Sequence, residues 1–240
     1  MNFVVVKDYH EMSKRAAVIV AGQIYLKSKS VIGFATGSTP MGMYRELISM
    51  YREEKLSFSE MITFNLDEYI GLAKENTNSY HYYMMENFFK HIDIEKENIN
   101  MPNSNIEDID KECRGYEKKI AETGGIDLQV LGIGKNGHIG FNEPNISFEA
   151  TTHQVKLDEE TILANSRFFT NIEDVPRYAI SMGIQTIMFA RKILLLANGK
   201  EKADALCKAV TGPITPDVPA SILRLHKDVT VIMDEEASFL

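Results

Sequence analysis

Cysteine is scarce in this chain of 240 residues: Cys113 and Cys207 lie far apart, with no CxxC pairing. That spacing suggests neither a zinc site nor a disulfide framework, and the expectation is a pair of reduced thiols in a cytoplasmic protein. Basic charge is short as well, with 26 Lys+Arg against 34 Asp+Glu and a formal net charge of -8. No basic stripe or interleaved aromatic platform stands out, so nucleic acid and anionic membrane are disfavoured as partners. Any anionic substrate must therefore meet a local positive site. Long apolar runs are missing: no window approaches a membrane span. The apolar run in MNFVVVKDYHEM is too short for a signal-peptide core and gives way at once to polar residues. No Pro/Gly/Ser-rich linker, internal repeat or low-complexity tract divides the sequence, which predicts one domain over residues 1–240. With 44% hydrophobic and 25% charged residues, it can build a sizeable core.

What the chain does have is alternation. Apolar runs of strand length at residues 3–6, 31–35, 61–64, 126–131, 193–197 and 229–233 alternate with segments of helical period. This pattern predicts an α/β domain with a mainly parallel sheet. Asp8 and Glu11 look like a capping box for a helix whose face holds Met12, Ala16, Ile19, Val20 and Ile24 and which ends near residues 27–30. A second helix follows Pro40, with Met43, Tyr44, Leu47, Ile48 and Tyr51 on one face. Further on, residues 78–91 read as a helix, 98–105 as a polar loop, 106–122 as an exposed charged helix closed by Gly124 and Gly125, 151–157 as a strand and 158–164 as a short helix. Residues 199–210 read as a helix with Lys202 in its first turn, an unfavourable place for a cation unless an anion is near.

The chemistry gathers at three predicted strand ends. Residues 131–144, LGIGKNGHIGFNEP, hold four glycines, His138 and Glu143 in a stretch that cannot become a long helix. Thr36, Gly37, Ser38 and Thr39 form a small polar loop at a helix N-terminus, where free N–H groups and the dipole favour an anion. Asp67 and Glu68 put adjacent carboxylates after a third strand. In a parallel sheet these loops open on one side. A phosphate cradle, a carboxylate base and a histidine around one pocket suit proton transfer on a sugar phosphate. Arg167 and Lys202 are natural phosphate partners.

Each feature also has a plainer reading. GIGKNG satisfies GxGxxG, but Gly140 and Pro144 interrupt any helix within two turns, unlike a dinucleotide fingerprint. His138 and Glu143 lack HExxH spacing, a cysteine or a second histidine, which argues against metal. His138 could be structural, the acidic pair could simply cap the next helix, and Arg167 and Lys202 could be surface ion-pair residues.

Taken together, ATGSTPMGMY (35–44), FNLDEYIGL (64–72), GIGKNGHIGFNEP (132–144), SRFF (166–169) and GKEKADAL (199–206) resemble the glucosamine-6-phosphate deaminase family over nearly the whole chain. FNEP discriminates best, because 6-phosphogluconolactonases share the glycine-histidine turn but differ after it. The resemblance implies a three-layer α/β/α domain of modified Rossmann type. It also implies hydrolytic deamination of glucosamine 6-phosphate to fructose 6-phosphate and ammonia, in amino sugar catabolism, without metal or organic cofactor. In that scheme His138, oriented by Glu143, relays the ring-opening proton and Asp67 moves a proton from C2 to C1. Gly37, Ser38, Thr39, Arg167 and Lys202 hold the phosphate.

Two departures stand out. The family often has aspartate where this chain has Asn136, part of the ring-opening set; an amide can orient His138 but supplies no negative charge. Hexameric members carry an allosteric phosphate cluster after FNEP, where this chain has Ile146, His153, Val155 and Lys156. The expectation is a non-allosteric monomer or weak homo-oligomer. A 6-phosphogluconolactonase is the nearest rival. A sugar-phosphate sensing module is the other, although it would normally carry a helix-turn-helix for which the residues before Phe3 leave no room.

Overall fold

Strand-length apolar segments alternate with helices from the first residues onward. The structure, a computed structural model, describes residues 1–166 and 169–239. Its first half runs β1 (Asn2–Val6), α1 (Tyr9–Leu26), β2 (Val31–Phe34), α2 (Ser38–Arg52), β3 (Ile62–Asn65), β4 (Asp67–Tyr69), α3 (Tyr80–Asn87) and β5 (Ile99–Asn100). The second half runs α4 (Ile109–Glu122), β6 (Leu128–Gly132), β7 (His153–Lys156), α5 (Glu159–Asn165), β8 (Tyr178–Ser181), α6 (Ile184–Met188), β9 (Lys192–Ala197), α7 (Ala203–Thr211) and β10 (Val229–Asp234).

Seven strands form one sheet in the order β1-β10-β9-β6-β2-β3-β5, parallel at every pairing. Strands buried on both faces need apolar side chains in both directions, which is why they read as runs rather than alternations. Ile32, Phe34, Val130, Leu194 and Ile232 pack with Met12 and Val20 of α1 and Leu47 of α2. On the other face Val31, Phe64, Leu131, Leu195 and Val231 pack with Tyr116 of α4, Ile187 of α6 and Leu206 of α7. The result is the expected three-layer α/β/α arrangement.

From β2 the chain builds outward through β3 to β5, whereas β6, β9 and β10 build in the opposite direction. At such a reversal the connections after β2 and β6 leave toward opposite faces, and a crevice opens at the carboxyl ends of the strands.

Some elements differ from the sequence reading. The polar loop expected at 98–105 contains β5, whose Ile99 pairs with Thr63 and whose Asn100 side chain donates to the Thr63 carbonyl at 3.1 Å. Two residues on a sheet edge carry no periodicity to read. The strand expected at 151–157 is β7, but it joins a separate antiparallel sheet, β4-β8-β7, in which Asp67 of β4 lies opposite Ser181 of β8. At α1 the Asp8 carboxylate accepts from the Glu11 N–H at 2.9 Å, as a cap should. The Glu11 carboxylate reaches the N–H of Lys7, one residue further back than a capping box requires.

Candidate active site

β2 ends at Phe34 and the chain turns through Thr36 and Gly37 into α2. Gly37 has φ 95°, a left-handed conformation that side chains resist, and among the described residues no side chain caps α2. The first-turn N–H groups of Ser38 and Thr39 therefore lack the usual side-chain acceptor, and Pro40 has no N–H to satisfy. The loop is held from outside. Tyr83 Oη donates to the Gly37 carbonyl at 2.5 Å, Tyr9 Oη to the Ser38 carbonyl at 2.9 Å, and Thr39 Oγ1 to Asn198 Oδ1 at 2.9 Å. Asn198 follows β9, so the Thr39 bond ties two strand ends together. Lys202 stands just ahead of α7 and lines the same cavity, while Lys135 and Glu201 form a 3.1 Å ion pair at its rim.

The carboxylate pair after β3 divides its labour. Glu68 accepts from the N–H groups of Tyr69 and Tyr80 at 2.9 Å and of His81 at 2.8 Å, closing the N-terminus of α3. This is the capping reading, and it belongs to Glu68 alone. Asp67 faces the cavity, 7% exposed, and no hydrogen bond to its carboxylate is found among the described residues. Burial, with a smaller contribution from the neighbouring Glu68, pushes its pKa up from 3.8 to about 8. A shielded carboxyl tuned near neutrality and free to accept from a ligand is suited to proton abstraction.

After β6 the chain makes a turn, not a helix: Gly134 N–H donates to the His138 carbonyl at 2.9 Å and Gly137 N–H to the Gly134 carbonyl at 3.0 Å. A dinucleotide fingerprint requires a helix at this point, so GIGKNG is not one here. Gly134 is required by its neighbour, because a Cβ on it would lie 2.3 Å from Cε1 of the His138 ring. The imidazole lies against bare backbone. His138 Nδ1 bonds Glu143 Oε2 at 3.1 Å, Asn136 Nδ2 donates to the same oxygen at 2.8 Å, and Thr161 Oγ1 donates to Oε1 at 2.5 Å. An ionised carboxylate only accepts, so the Nδ1 proton faces Glu143 and a neutral imidazole keeps its Nε2 lone pair for another partner. Burial raises the Glu143 pKa, but the bonds from His138, Thr161 and Asn136 and the charge of His138 outweigh it and leave the group below its ordinary value. The Asn136 amide acts through Glu143 and through the His138 backbone N–H, which its Oδ1 accepts at 3.1 Å, rather than through the ring.

One cavity of about 340 Å³ is lined by Gly37, Ser38, Thr39, Asp67, Asn136, His138 and Lys202. Glu143 stands behind His138. Arg167, the remaining predicted phosphate partner, lies outside the described residues. The sequence reading missed Tyr80 of α3, stacked on Phe141 at 5.9 Å, and Thr161 and Asn165 of α5, all three on the cavity wall. The tyrosine-rich helix and the SRFF neighbourhood hinted at both places. Among the described residues no group of three or more His, Cys, Asp or Glu side chains is placed to hold a metal ion.

The family described as glucosamine-6-phosphate isomerases/6-phosphogluconolactonase matches residues 9–232. The chain belongs to this family. Within the glucosamine-6-phosphate isomerase/6-phosphogluconolactonase family, it is 60% identical over 238 residues to a glucosamine-6-phosphate deaminase of Clostridium acetobutylicum, covering 99% of each chain. It is 59% identical to one of Clostridium botulinum, covering 99% of this chain and 98% of the relative. A solved structure of a monomeric glucosamine-6-phosphate deaminase superposes with a TM-score of 0.97 at 50% identity, over 99% of this chain and 98% of the other. A 6-phosphogluconolactonase from Trypanosoma cruzi shares the fold, with a TM-score of 0.75 at 21% identity over 98% and 95% of the chains.

Proposed function

We propose that this chain catalyses the hydrolytic deamination of glucosamine 6-phosphate to fructose 6-phosphate and ammonia. The observation that carries the proposal is the meeting, in one cavity, of a buried carboxyl of raised pKa, a carboxylate-backed imidazole and a helix N-terminus without a side-chain cap among the described residues, in a chain about 60% identical to deaminases along its length.

In this scheme the 6-phosphate rests on the N–H groups of Gly37, Ser38 and Thr39, with Lys202 and Arg167 supplying local positive charge in a chain of net charge -8. Anchoring there sets the reacting carbons against the bases. The Nε2 lone pair of His138 takes the proton of the C1 hydroxyl and delivers it to the ring oxygen, opening the pyranose to an aldehyde. Glu143, held by Asn136 and Thr161, stabilises the imidazolium that forms in between. The aldehyde acidifies the C2 proton. Asp67 removes it while a proton of the substrate's ammonium group passes to O1, giving a neutral enolamine with protonated Asp67; Asp67 returns its proton at C1, leaving a C2 iminium, to which water adds at C2 before ammonia departs. The scheme calls on no metal or organic cofactor, since ring opening and the C2-to-C1 transfer each have a side chain, His138 and Asp67, on the cavity wall.

We also infer a single domain, a cytoplasmic location and a monomer without allosteric control. The near-complete superposition on a solved monomeric deaminase supports the monomer, and no described helix is long and apolar enough to cross a membrane. At the positions of the allosteric cluster, Ile146 packs against the main core and Val155 is buried in the small one, so neither offers a phosphate a donor. The test is product analysis. Purified protein given glucosamine 6-phosphate should yield ammonia and fructose 6-phosphate in equal amounts, with no hydrolysis of 6-phosphogluconolactone above background; lactone hydrolysis without ammonia would reverse the assignment.

A further inference from the structure

We propose that Thr161 is a positioning residue for the proton relay, its hydroxyl fixing the outer oxygen of Glu143 so that the inner oxygen stays aimed at the His138 ring. This rests on the deaminase reading of the site. A threonine inside a helix usually donates its hydroxyl proton to the carbonyl one turn back. Thr161, in the first turn of α5, donates across to Glu143 Oε1 at 2.5 Å instead, eighteen residues away in sequence and on a different element. The two oxygens of Glu143 thus have separate holders. Oε2 takes Asn136 and His138 from the β6 turn, and Oε1 takes Thr161 from α5. Without the second holder the carboxylate can swing about its last torsion, a broad and soft one, while keeping either bond to the turn.

The helix that carries Thr161 is itself anchored. Ile162 is buried against a small core that contains Tyr69, Phe141, Val155 and Leu157, the same cluster that backs β4 and the Phe141 wall of the cavity. Thr161 is 6% exposed, and Asn165, one turn on, also faces the cavity. The hydroxyl therefore connects the relay to a wall built from other strands. Its hydroxyl proton is committed to Glu143 Oε1, so its effect on the relay passes through that carboxylate.

The test compares Thr161→Val, which keeps the shape and removes the donor, with Thr161→Ser, which keeps the donor. Two readouts are needed: steady-state kinetics on glucosamine 6-phosphate, and the titration of the Glu143 carboxyl in ligand-free protein carrying 13C-labelled glutamate. The valine variant should lower kcat by about tenfold or more, as loss of a hydrogen bond to a charged group does. Its KM should stay within about twofold and its Glu143 titration should move to higher pH; serine should restore both. Unchanged kcat and titration in Thr161→Val, or a serine variant as impaired as the valine one, would overturn the proposal. If the unmutated protein released no ammonia the deaminase reading would fail, while the Glu143 titration would still decide whether Thr161 holds that carboxylate.

Discussion

At the scale of single residues, Asp67 carries the sharpest consequences. Burial lifts its pKa from 3.8 to about 8, so between these values the folded protein holds a proton that the unfolded chain has lost. Stability from this group therefore falls as pH rises from about 4 to about 8. Asp67→Asn removes the charge without changing the shape, and at pH 8 and above it should raise the melting temperature by about 2–4 °C, the equivalent of roughly 1 kcal/mol in a chain this size. Activity should follow the opposite course in the unmutated protein. The base must be ionised, so kcat/KM should climb with pH through a midpoint of about 8. Asn136→Asp makes a different prediction. It sets a second carboxyl 2.8 Å from Glu143, and like charges that close hold on to a proton, so the Glu143 carboxyl should titrate at higher pH than in the unmutated protein. An unmoved Glu143 titration would remove any electrostatic role from position 136. The residue types and their grouping were legible in the sequence. The split between Asp67 and Glu68 was not, because which of two adjacent carboxylates turns inward depends on α3 arriving over Glu68 with its first N–H groups free.

At the scale of elements, the inner parallel strands β2, β6, β9 and β10 were readable because both faces are largely buried and each appears as a mainly apolar run. β4, β5 and β8 were not, since two to four residues carry no period and their partners are far away in sequence. The glycine-rich turn was readable as a turn but not as a seat for an imidazole. Gly134 makes that seat, and Gly134→Ala should test it: a methyl 2.3 Å from the ring must displace His138, and a displacement of about 1 Å costs on the order of 100-fold in kcat. KM should change far less, because the phosphate loop after β2 is held independently by Tyr9, Tyr83 and Asn198. A KM effect as large as the kcat effect would mean that turn and loop move together.

For the molecule as a whole, the reversal of strand order between β2 and β6 accounts for the site: loops distant in sequence leave adjacent strand ends and converge on one crevice. The order of strands could not be read from local pattern, but the side of the sheet on which the loops open could, because parallel strands share their carboxyl ends. Ile146 and Val155 are apolar and packed into the cores, so the rate is expected to depend hyperbolically on substrate and ignore N-acetylglucosamine 6-phosphate, with a monomer by light scattering. Sigmoidal kinetics relieved by that sugar phosphate would contradict the monomeric, unregulated account. The central claim, that the buried Asp67 performs proton transfer on a phosphorylated amino sugar, is tested most directly by ammonia release from glucosamine 6-phosphate at pH 8, compared between the unmutated protein and Asp67→Asn. The account predicts steady release from the first and at least about a 1000-fold loss in a well-folded second, more than 4 kcal/mol of transition-state stabilisation; equal release from both, or none from the unmutated protein, would contradict it.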